Sequence, residues 1–332
     1  MIISKTPYRF SIFGGGCDYP GWFLNNPSNV LTSSMDYYCF LMVRKLGNFF
    51  LDYKSSASYS VIERVDINND FKHPSIRECL NFTNLSKTRI SITHAGDLPA
   101  RSGIGSSSSF TVGLLKALKE LQNQKITENE LAKMACHVEQ DLIKEKVGVQ
   151  DQYSASLGGI LELEMYEKNI IANRLNLNDT FIKEFESHVL LGYTGINRNS
   201  SDYTVKLTKK IKENKLDIFL NELNEISKYG INLFKKEAEI DKIAKLIDKS
   251  WNLKVKLDKS ATHKFFYDIY DVAKRSGALG GKLMGAGGGG FFYLIANPKS
   301  HQLIKSNLKN IKIWVPFKFS SDGSSIINKG NT

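Results

Sequence analysis

Four segments of the 332-residue chain carry residue types that could do chemistry. In Asp97-Leu-Pro-Ala-Arg-Ser-Gly-Ile-Gly-Ser-Ser-Ser-Ser-Phe110, two glycines, Gly103 and Gly105, stand directly before a serine cluster that opens a helix-periodic apolar stretch. Glycine takes turns closed to other residues and lets a ligand approach the backbone. The first amides of a helix lack intrahelical partners. Together these features make a site for an anion such as phosphate, built on the amides of Gly103, Ile104, Gly105, Ser106, Ser107 and Ser108. The helix dipole contributes ~0.3–1 kcal/mol, and each charge-assisted hydrogen bond ~1.5–3 kcal/mol, so converging amides would dominate. No Gly-Lys-Ser/Thr follows the glycines, and the spacing is not G-x-G-x-x-G, so neither common nucleotide fingerprint is present. The same letters also suit a plain serine-rich N-cap behind a flexible turn.

The second segment, Lys282-Leu-Met-Gly-Ala-Gly-Gly-Gly-Gly290, packs five glycines into six residues before the apolar run Phe291–Ile295. That much backbone freedom costs chain entropy, and a helix stop needs only one or two glycines. A tight crossing or a ligand at the backbone would account for the rest. The third is Thr6-Pro-Tyr-Arg-Phe-Ser-Ile-Phe-Gly-Gly-Gly-Cys-Asp-Tyr-Pro20, where Arg9 and Asp18 are charges in apolar surroundings. A guanidinium suits phosphate and a carboxylate suits sugar hydroxyls; a surface Arg and a turn Asp would look the same. The fourth is Gly148-Val-Gln-Asp-Gln-Tyr153, with Asp151 between two amides and Glu139 twelve residues upstream. Glu139 follows Leu131 by eight residues, which on a helix places it ~80° from the apolar face. A carboxylate there reaches solvent or needs a cation or metal.

The elements that must position these groups are readable in outline. Arg9–Phe13 reads as a strand ending in the glycine loop, followed by strand-like runs at Tyr37–Val43, Phe49–Tyr53, Tyr59–Ile62 and Thr88–Thr93. Phe110, Leu114, Leu115, Leu118 and Leu121 mark a helix after the serines. Thr127 with Glu130 forms a capping box that starts a second, with Leu131, Met134, Ala135, Val138 and Leu142 as its apolar face. Strands are expected at Gly158–Glu164, His188–Tyr193 and Phe291–Ile295, and a helix over Phe219, Leu223, Ile226 and Leu233. Composition shifts near 170–185, so the expected division is 1–180 and 181–332, each mixing helix and strand without βαβ alternation, which favours α+β. The end after Ser320 reads as a short polar tail.

Composition narrows the classes. Apolar residues make up 42% and charged residues 24%, as in ordinary globular domains, which excludes disorder, collagen and a small disulfide scaffold. Net charge is 45 − 34 = +11, which suits an anionic partner. The four cysteines form no C-x-x-C pair and the six histidines no H-E-x-x-H, so reduced thiols in a cytoplasmic protein are expected. No apolar window reaches the ~18 residues of a membrane span. Lys206, Lys209, Lys210, Lys212 and Lys215 cluster on one helical stretch, but interleaved aromatics for base stacking are missing, so nucleic acid is not an expected partner.

Two glycine loops, a helix N-terminus, an Arg and two acids are the parts of a phosphoryl-transfer site. Pro7–Tyr19, Pro99–Ser108 and Lys282–Gly290 resemble, in order and separation, the three signatures of the galactokinase, homoserine kinase, mevalonate kinase and phosphomevalonate kinase (GHMP) superfamily. Within it, Phe13–Pro20, Leu98–Phe110 and Gly148–Tyr153 resemble the D-glycero-D-manno-heptose 7-phosphate kinases and their fucokinase-like relatives. The resemblance implies a ribosomal protein S5 domain 2-like N-terminal domain and a ferredoxin-like C-terminal domain, with ATP in the cleft between them. It implies phosphate-holding residues Pro99, Arg101 and Gly103 to Ser108, Mg²⁺ ligands Ser107 and Glu139, and Asp151 as the base that takes the proton of the sugar's anomeric hydroxyl. Arg9 would sit near Asp151 and neutralise charge on the transferring group. Gly15, Gly16, Asp18, Gly285 and Gly287 would border the substrate, with Arg198 or Arg101 as candidates for a sugar 7-phosphate. The product would be the 1,7-bisphosphate, feeding nucleotide-activated heptose for surface polysaccharide, and a homodimer is allowed. Two departures stand out. Val149 occupies a place often basic or aromatic before Gln-Asp-Gln, and the first motif lacks the Glu-His pair of galactokinases. Phosphorylation of free fucose or another hexose is the alternative reading, and a basic RNA-binding S5-like domain a distant one.

Overall fold

The first strand, β1 (Ile2–Phe13), and the long β2 (Ser28–Lys45) pair antiparallel through almost their whole length. A computed structural model describes residues 1–49, 52–196, 201–257, 264–285, 289–311 and 313–329. Between the two strands lies α1 (Pro20–Phe23), and after them come β3 (Ser55–Ser58), β4 (Ile62–Val65), α2 (Pro74–Phe82), β5 (Ile90–Gly96), α3 (Ser106–Leu121), α4 (Glu128–His137), α5 (Gln150–Leu157), β6 (Ile160–Tyr166) and β7 (Asn169–Arg174). The remainder runs α6 (Asp179–His188), β8 (Val189–Tyr193), α7 (Ser201–Lys212), α8 (Asp217–Lys235), α9 (Ile240–Leu257), α10 (Lys264–Arg275), β9 (Ala278–Leu283), β10 (Phe291–Ala296), α11 (His301–Asn307), β11 (Ile313–Val315), β12 (Phe319–Ser320) and β13 (Ser325–Lys329).

Strands β1–β7, β12 and β13 form one nine-stranded sheet; β8–β11 form a second, four-stranded antiparallel sheet in the order β11-β8-β10-β9. The fold is α+β, as expected. β1 begins in alternation and then is buried on both faces from Thr6 onward. α3 and α5 cover it, and α8 and α9 from the second half also reach it. A strand closed on both sides reads as a continuous apolar run, with Phe10, Ile12 and Phe13 fully buried. α3 buries Phe110, Leu114, Leu115, Leu118 and Leu121, and the Thr127–Glu130 capping box opens α4.

The expected boundaries needed three corrections. Phe49 and Tyr53 lie in bends rather than a strand, with positions 50 and 51 outside the described residues, and the strands there are β3 and β4 on either side of Tyr59. The polar tail is not a tail: β12 and β13 return to pair with β2 and β1, so a simple cut at residue 180 divides one sheet. The α4 face does not run on regularly to Leu142, because Val138–Leu142 forms a π-helical turn. No helix among the described residues is long and apolar enough to cross a membrane.

Candidate active site

A cleft lies where the loop before α3, the end of β1, the start of α5 and the end of β9 meet. Its described lining includes Arg9, Gly15, Gly16, Asp18, Arg101, Gly103, Gly105, Ser106, Ser107, Ser108, Asp151 and Gly285. Most of the residues singled out by sequence therefore converge. Pro99 and Ile104 belong to the same loop without lining the cleft: Pro99 accepts a bond from the Ser102 hydroxyl at 2.5 Å, and the Ile104 carbonyl accepts from the Arg9 amide at 3.0 Å. Arg198 and Gly287 lie outside the described residues.

The loop geometry follows from its glycines. Gly103 has φ +81°, and a Cβ on it would lie 2.5 Å from the Met284 carbonyl oxygen; one on Gly285, at φ +69°, would lie 2.7 Å from Gly103 Cα. The two glycine-rich motifs are thus pressed backbone to backbone, a contact no side chain permits. Gly105, left-handed at φ +71°, is the N-cap residue of α3, and no side chain caps that end. The start of α3 is thus uncapped where Ser106, Ser107 and Ser108 line the cleft, an arrangement that suits an anion.

Across the loop stands the pair Arg9–Asp151. Arg9 Nε donates to Asp151 Oδ1 at 2.6 Å, Nη2 to Oδ2 at 3.1 Å, and Nη1 to the Gly103 carbonyl at 3.2 Å. This two-pronged pairing fixes the carboxylate in orientation, with Oδ2 3.0 Å from where a Gly105 Cβ would be. Asp151 sits in the first turn of α5, and a quarter of its side chain is exposed while Arg9 is only 4% exposed.

The amides flanking Asp151 serve two other acids. Positions 150 and 152 lie ~200° apart around a helix, so their side chains diverge. Gln150 Nε2 donates to Asp18 Oδ2 at 3.1 Å and Gln152 Nε2 to Glu139 Oε2 at 2.5 Å. Asp18 is buried and also accepts the Gly16 amide at 2.9 Å. Burial pushes its carboxyl upward, the Gly16 bond pulls the other way, and the charge of Asp151 adds to the rise. Gly148 is glycine because a Cβ there would overlap the Asp18 carboxylate.

Glu139 occupies the π turn, 1% exposed. Its Oε2 accepts from Ser108 Oγ at 2.9 Å as well as from Gln152, whereas Oε1 has no partner. Burial, and then the charge of Glu145, push its carboxyl up to about 8. The hydroxyl on Glu139 is that of Ser108, not of Ser107, which is exposed in the cleft. Among the described residues no cluster of three or more His, Cys, Asp or Glu could hold a metal on its own.

Sequence reasoning placed Ser108 in the anion loop but missed its hydroxyl bond to Glu139, the separate duties of Gln150 and Gln152, and any role for the lysines Lys254 and Lys282 that also line the cleft. The amides were visible beside Asp151; the divergence of neighbouring helical positions was the usable signal.

Fold and site both match known proteins. The signature of the GHMP kinases N terminal domain covers residues 75–159, and that of the GHMP kinases C terminal domain residues 233–311. The chain belongs to the GHMP kinase family, and with it to the ATP-dependent kinases. It is 30% identical to a D-glycero-alpha-D-manno-heptose 7-phosphate kinase of Campylobacter jejuni, over 97% of both chains. It is also 30% identical to a mevalonate kinase of Methanocaldococcus jannaschii, over 76% of this chain and 78% of that one. Among solved structures, a D-glycero-D-manno-heptose 1-phosphate kinase of Bacteroides thetaiotaomicron superposes with a TM-score of 0.81, 20% identity and full coverage of both chains.

Proposed function

We propose that this chain transfers the γ-phosphoryl group of ATP to the anomeric hydroxyl of a sugar phosphate, D-glycero-D-manno-heptose 7-phosphate, giving the 1,7-bisphosphate. The observation that carries this reading is the Arg9–Asp151 pair, 2.6 Å apart and set against the Gly105 turn that opens α3. The heptose assignment leans on the relative in Campylobacter jejuni, which matches end to end.

In this reading the amides of residues 103–108 hold the ATP phosphates at the start of α3. The acceptor oxygen attacks the γ-phosphorus, Asp151 takes the hydroxyl proton, and the bond from the γ-phosphorus to the bridging oxygen breaks, releasing ADP. Arg9 orients Asp151 and faces the developing charge. Asp18, held by Gln150 and Gly16, accepts hydrogen bonds from sugar hydroxyls, with Gly15 and Gly16 leaving room for the ring. Oε1 of the buried Glu139 has no hydrogen-bond partner, and burial pushes the carboxyl to hold its proton; a cation there would take the proton's place and balance the ionised form. Glu139, with Ser107 or Ser108, would hold Mg²⁺, a cation that favours such oxygen ligands. Bound there, it supplies charge neutralisation for the phosphate oxygens.

The deciding experiment is an ADP-release assay across heptose 7-phosphate, fucose, mannose, galactose and mevalonate, with the phosphorylated carbon read by NMR. Turnover highest on the heptose 7-phosphate, with phosphate appearing at C1, is the expected result. Higher turnover on free fucose, whose kinases also match this chain at 23–24% identity, would replace the substrate while keeping the reaction.

A further inference from the structure

Two cations on the acceptor side of the cleft have no part in the mechanism above. Lys254 extends from α9 and Lys282 from β9. Lys282 is 5% exposed and donates to the Ile12 carbonyl at 2.9 Å and to Ser11 Oγ at 3.4 Å, so two of its three donors are spent on the end of β1. Lys254 is different. Its Nζ reaches over Gly15, 3.6 Å from where a Cβ would sit, and among the described residues it has neither a hydrogen bond nor a carboxylate within ion-pair distance.

Among the described residues the charges around these lysines do not balance. The described lining carries four cations, Arg9, Arg101, Lys254 and Lys282, against the two carboxylates Asp18 and Asp151. Arg9 is taken up by Asp151, and Arg101 stands at the phosphate loop, its amide donating to Ser106 Oγ at 3.3 Å. Among the described residues the two lysines then face Asp18 alone. Burial pushes both ammonium groups downward; Arg9 depresses both further, and Lys254 also depresses Lys282, while Asp18 opposes the shift at both. An ammonium withdrawn from water without a partner is costly, and an incoming anion removes that cost.

The placement suits the far end of a sugar. Arg9 and Ser11 lie on one face of β1, two residues apart, a separation of about 7 Å along a strand. Arg9 marks the transfer point through Asp151, and Ser11 marks the lysines through Lys282. One sugar unit bridges that distance with its anomeric oxygen at one end and its terminal substituent at the other.

We infer that Lys254, backed by Lys282, binds the phosphate that the acceptor already carries, and so makes the site select a phosphorylated over a free sugar. The inference rests on the acceptor-kinase reading above and gives Lys254 the role for which Arg198 and Arg101 were the sequence candidates. A charge-assisted bond of ~1.5–3 kcal/mol corresponds to roughly 10- to 150-fold in discrimination.

The test measures kcat/KM for D-glycero-D-manno-heptose 7-phosphate and for unphosphorylated heptose, and KM for ATP, in wild type, Lys254→Gln and Lys254→Arg. The expected result is a loss in Lys254→Gln at least about tenfold larger for the phosphorylated acceptor than for the free one, with most of it recovered in Lys254→Arg. Equal losses on both acceptors, no loss, or a loss confined to the KM for ATP would overturn the role of Lys254. Should Lys254→Gln fail to fold, inorganic phosphate added to wild type decides the matter. Competition with the sugar phosphate supports the site, and competition with ATP alone overturns it. A wild-type enzyme inert on every phosphorylated sugar but active on a free one would instead refute the acceptor reading itself, a result the variants play no part in.

Discussion

Replacing Asp151 by asparagine separates chemistry from structure at the point where the proposed mechanism is most exposed. Asparagine keeps an oxygen for one Arg9 donor and loses the second bond and the basic function. General base catalysis contributes typically 10²- to 10⁴-fold, so kcat should fall by that factor, about 3–5 kcal/mol of transition-state stabilisation. The KM for ATP should change by less than about threefold, because the proposed mechanism puts the nucleotide phosphates on the amides of residues 103–108, away from the acceptor proton. The stability loss should be smaller, on the order of 1 kcal/mol, since one neutral bond remains to a charged partner. Asp151→Ala behaves differently. It strands a guanidinium that is 4% exposed with only the Gly103 carbonyl at 3.2 Å. Removing one partner of a buried pair costs ~3–5 kcal/mol; the lower end applies here because a quarter of Asp151 is exposed and water can follow. Adding Arg9→Met to Asp151→Ala removes the stranded charge, so the double variant should be less destabilised than the sum of the singles. ADP release and urea denaturation read these quantities side by side. If Asp151→Asn retained kcat within about threefold of wild type, the carboxylate would not be the base, and the pair with Arg9 would be a structural ion pair alone.

Three further outcomes follow from the same geometry. Glu139 holds its proton up to about 8 when folded against an ordinary value of 4.5. The metal-free protein should therefore lose stability as pH rises through that window, where the unfolded chain has already released the proton and the folded one must surrender it. Glu139→Gln should flatten the dependence of Tm on pH in EDTA and raise the Mg²⁺ concentration needed for half-maximal activity; parallel Tm profiles for the two proteins would contradict this. Gly148→Ala drives a methyl group into the Asp18 carboxylate, so KM for the sugar should rise at least about tenfold with KM for ATP nearly unchanged in initial-rate kinetics. Gly285→Ala places a methyl group 2.7 Å from Gly103 Cα and forces φ +69° on a residue with a side chain, so ATP binding measured by calorimetry should weaken more than sugar binding.

What the sequence showed of this site depends on whether each function left a local mark. The glycine loops were legible because close approach of two backbones excludes side chains, and Gly103 against Gly285 is such an approach. Arg9 and Asp151 are 142 positions apart; no spacing rule joins them, and only the resemblance to a family paired them. Glu139 was placed near the apolar face by a regular helical period, but the chain there takes a π turn, which changes the angle between successive side chains. The hydroxyl it meets is that of Ser108, 31 positions away on α3, a contact no local period announces. The last strands looked like a tail because β13 is an edge strand with three of its five residues exposed, and an edge needs little apolar alternation to join a sheet that β1 has already organised. Lys254 is the limiting case. It stands in a helix that also carries Lys242, Lys245, Lys249 and Lys256, and nothing local separates an ammonium turned into a cleft from one turned to water. That difference arises from where α9 packs against β9 and β1, so a residue that sets which acceptor is chosen leaves no signature in the helix that carries it.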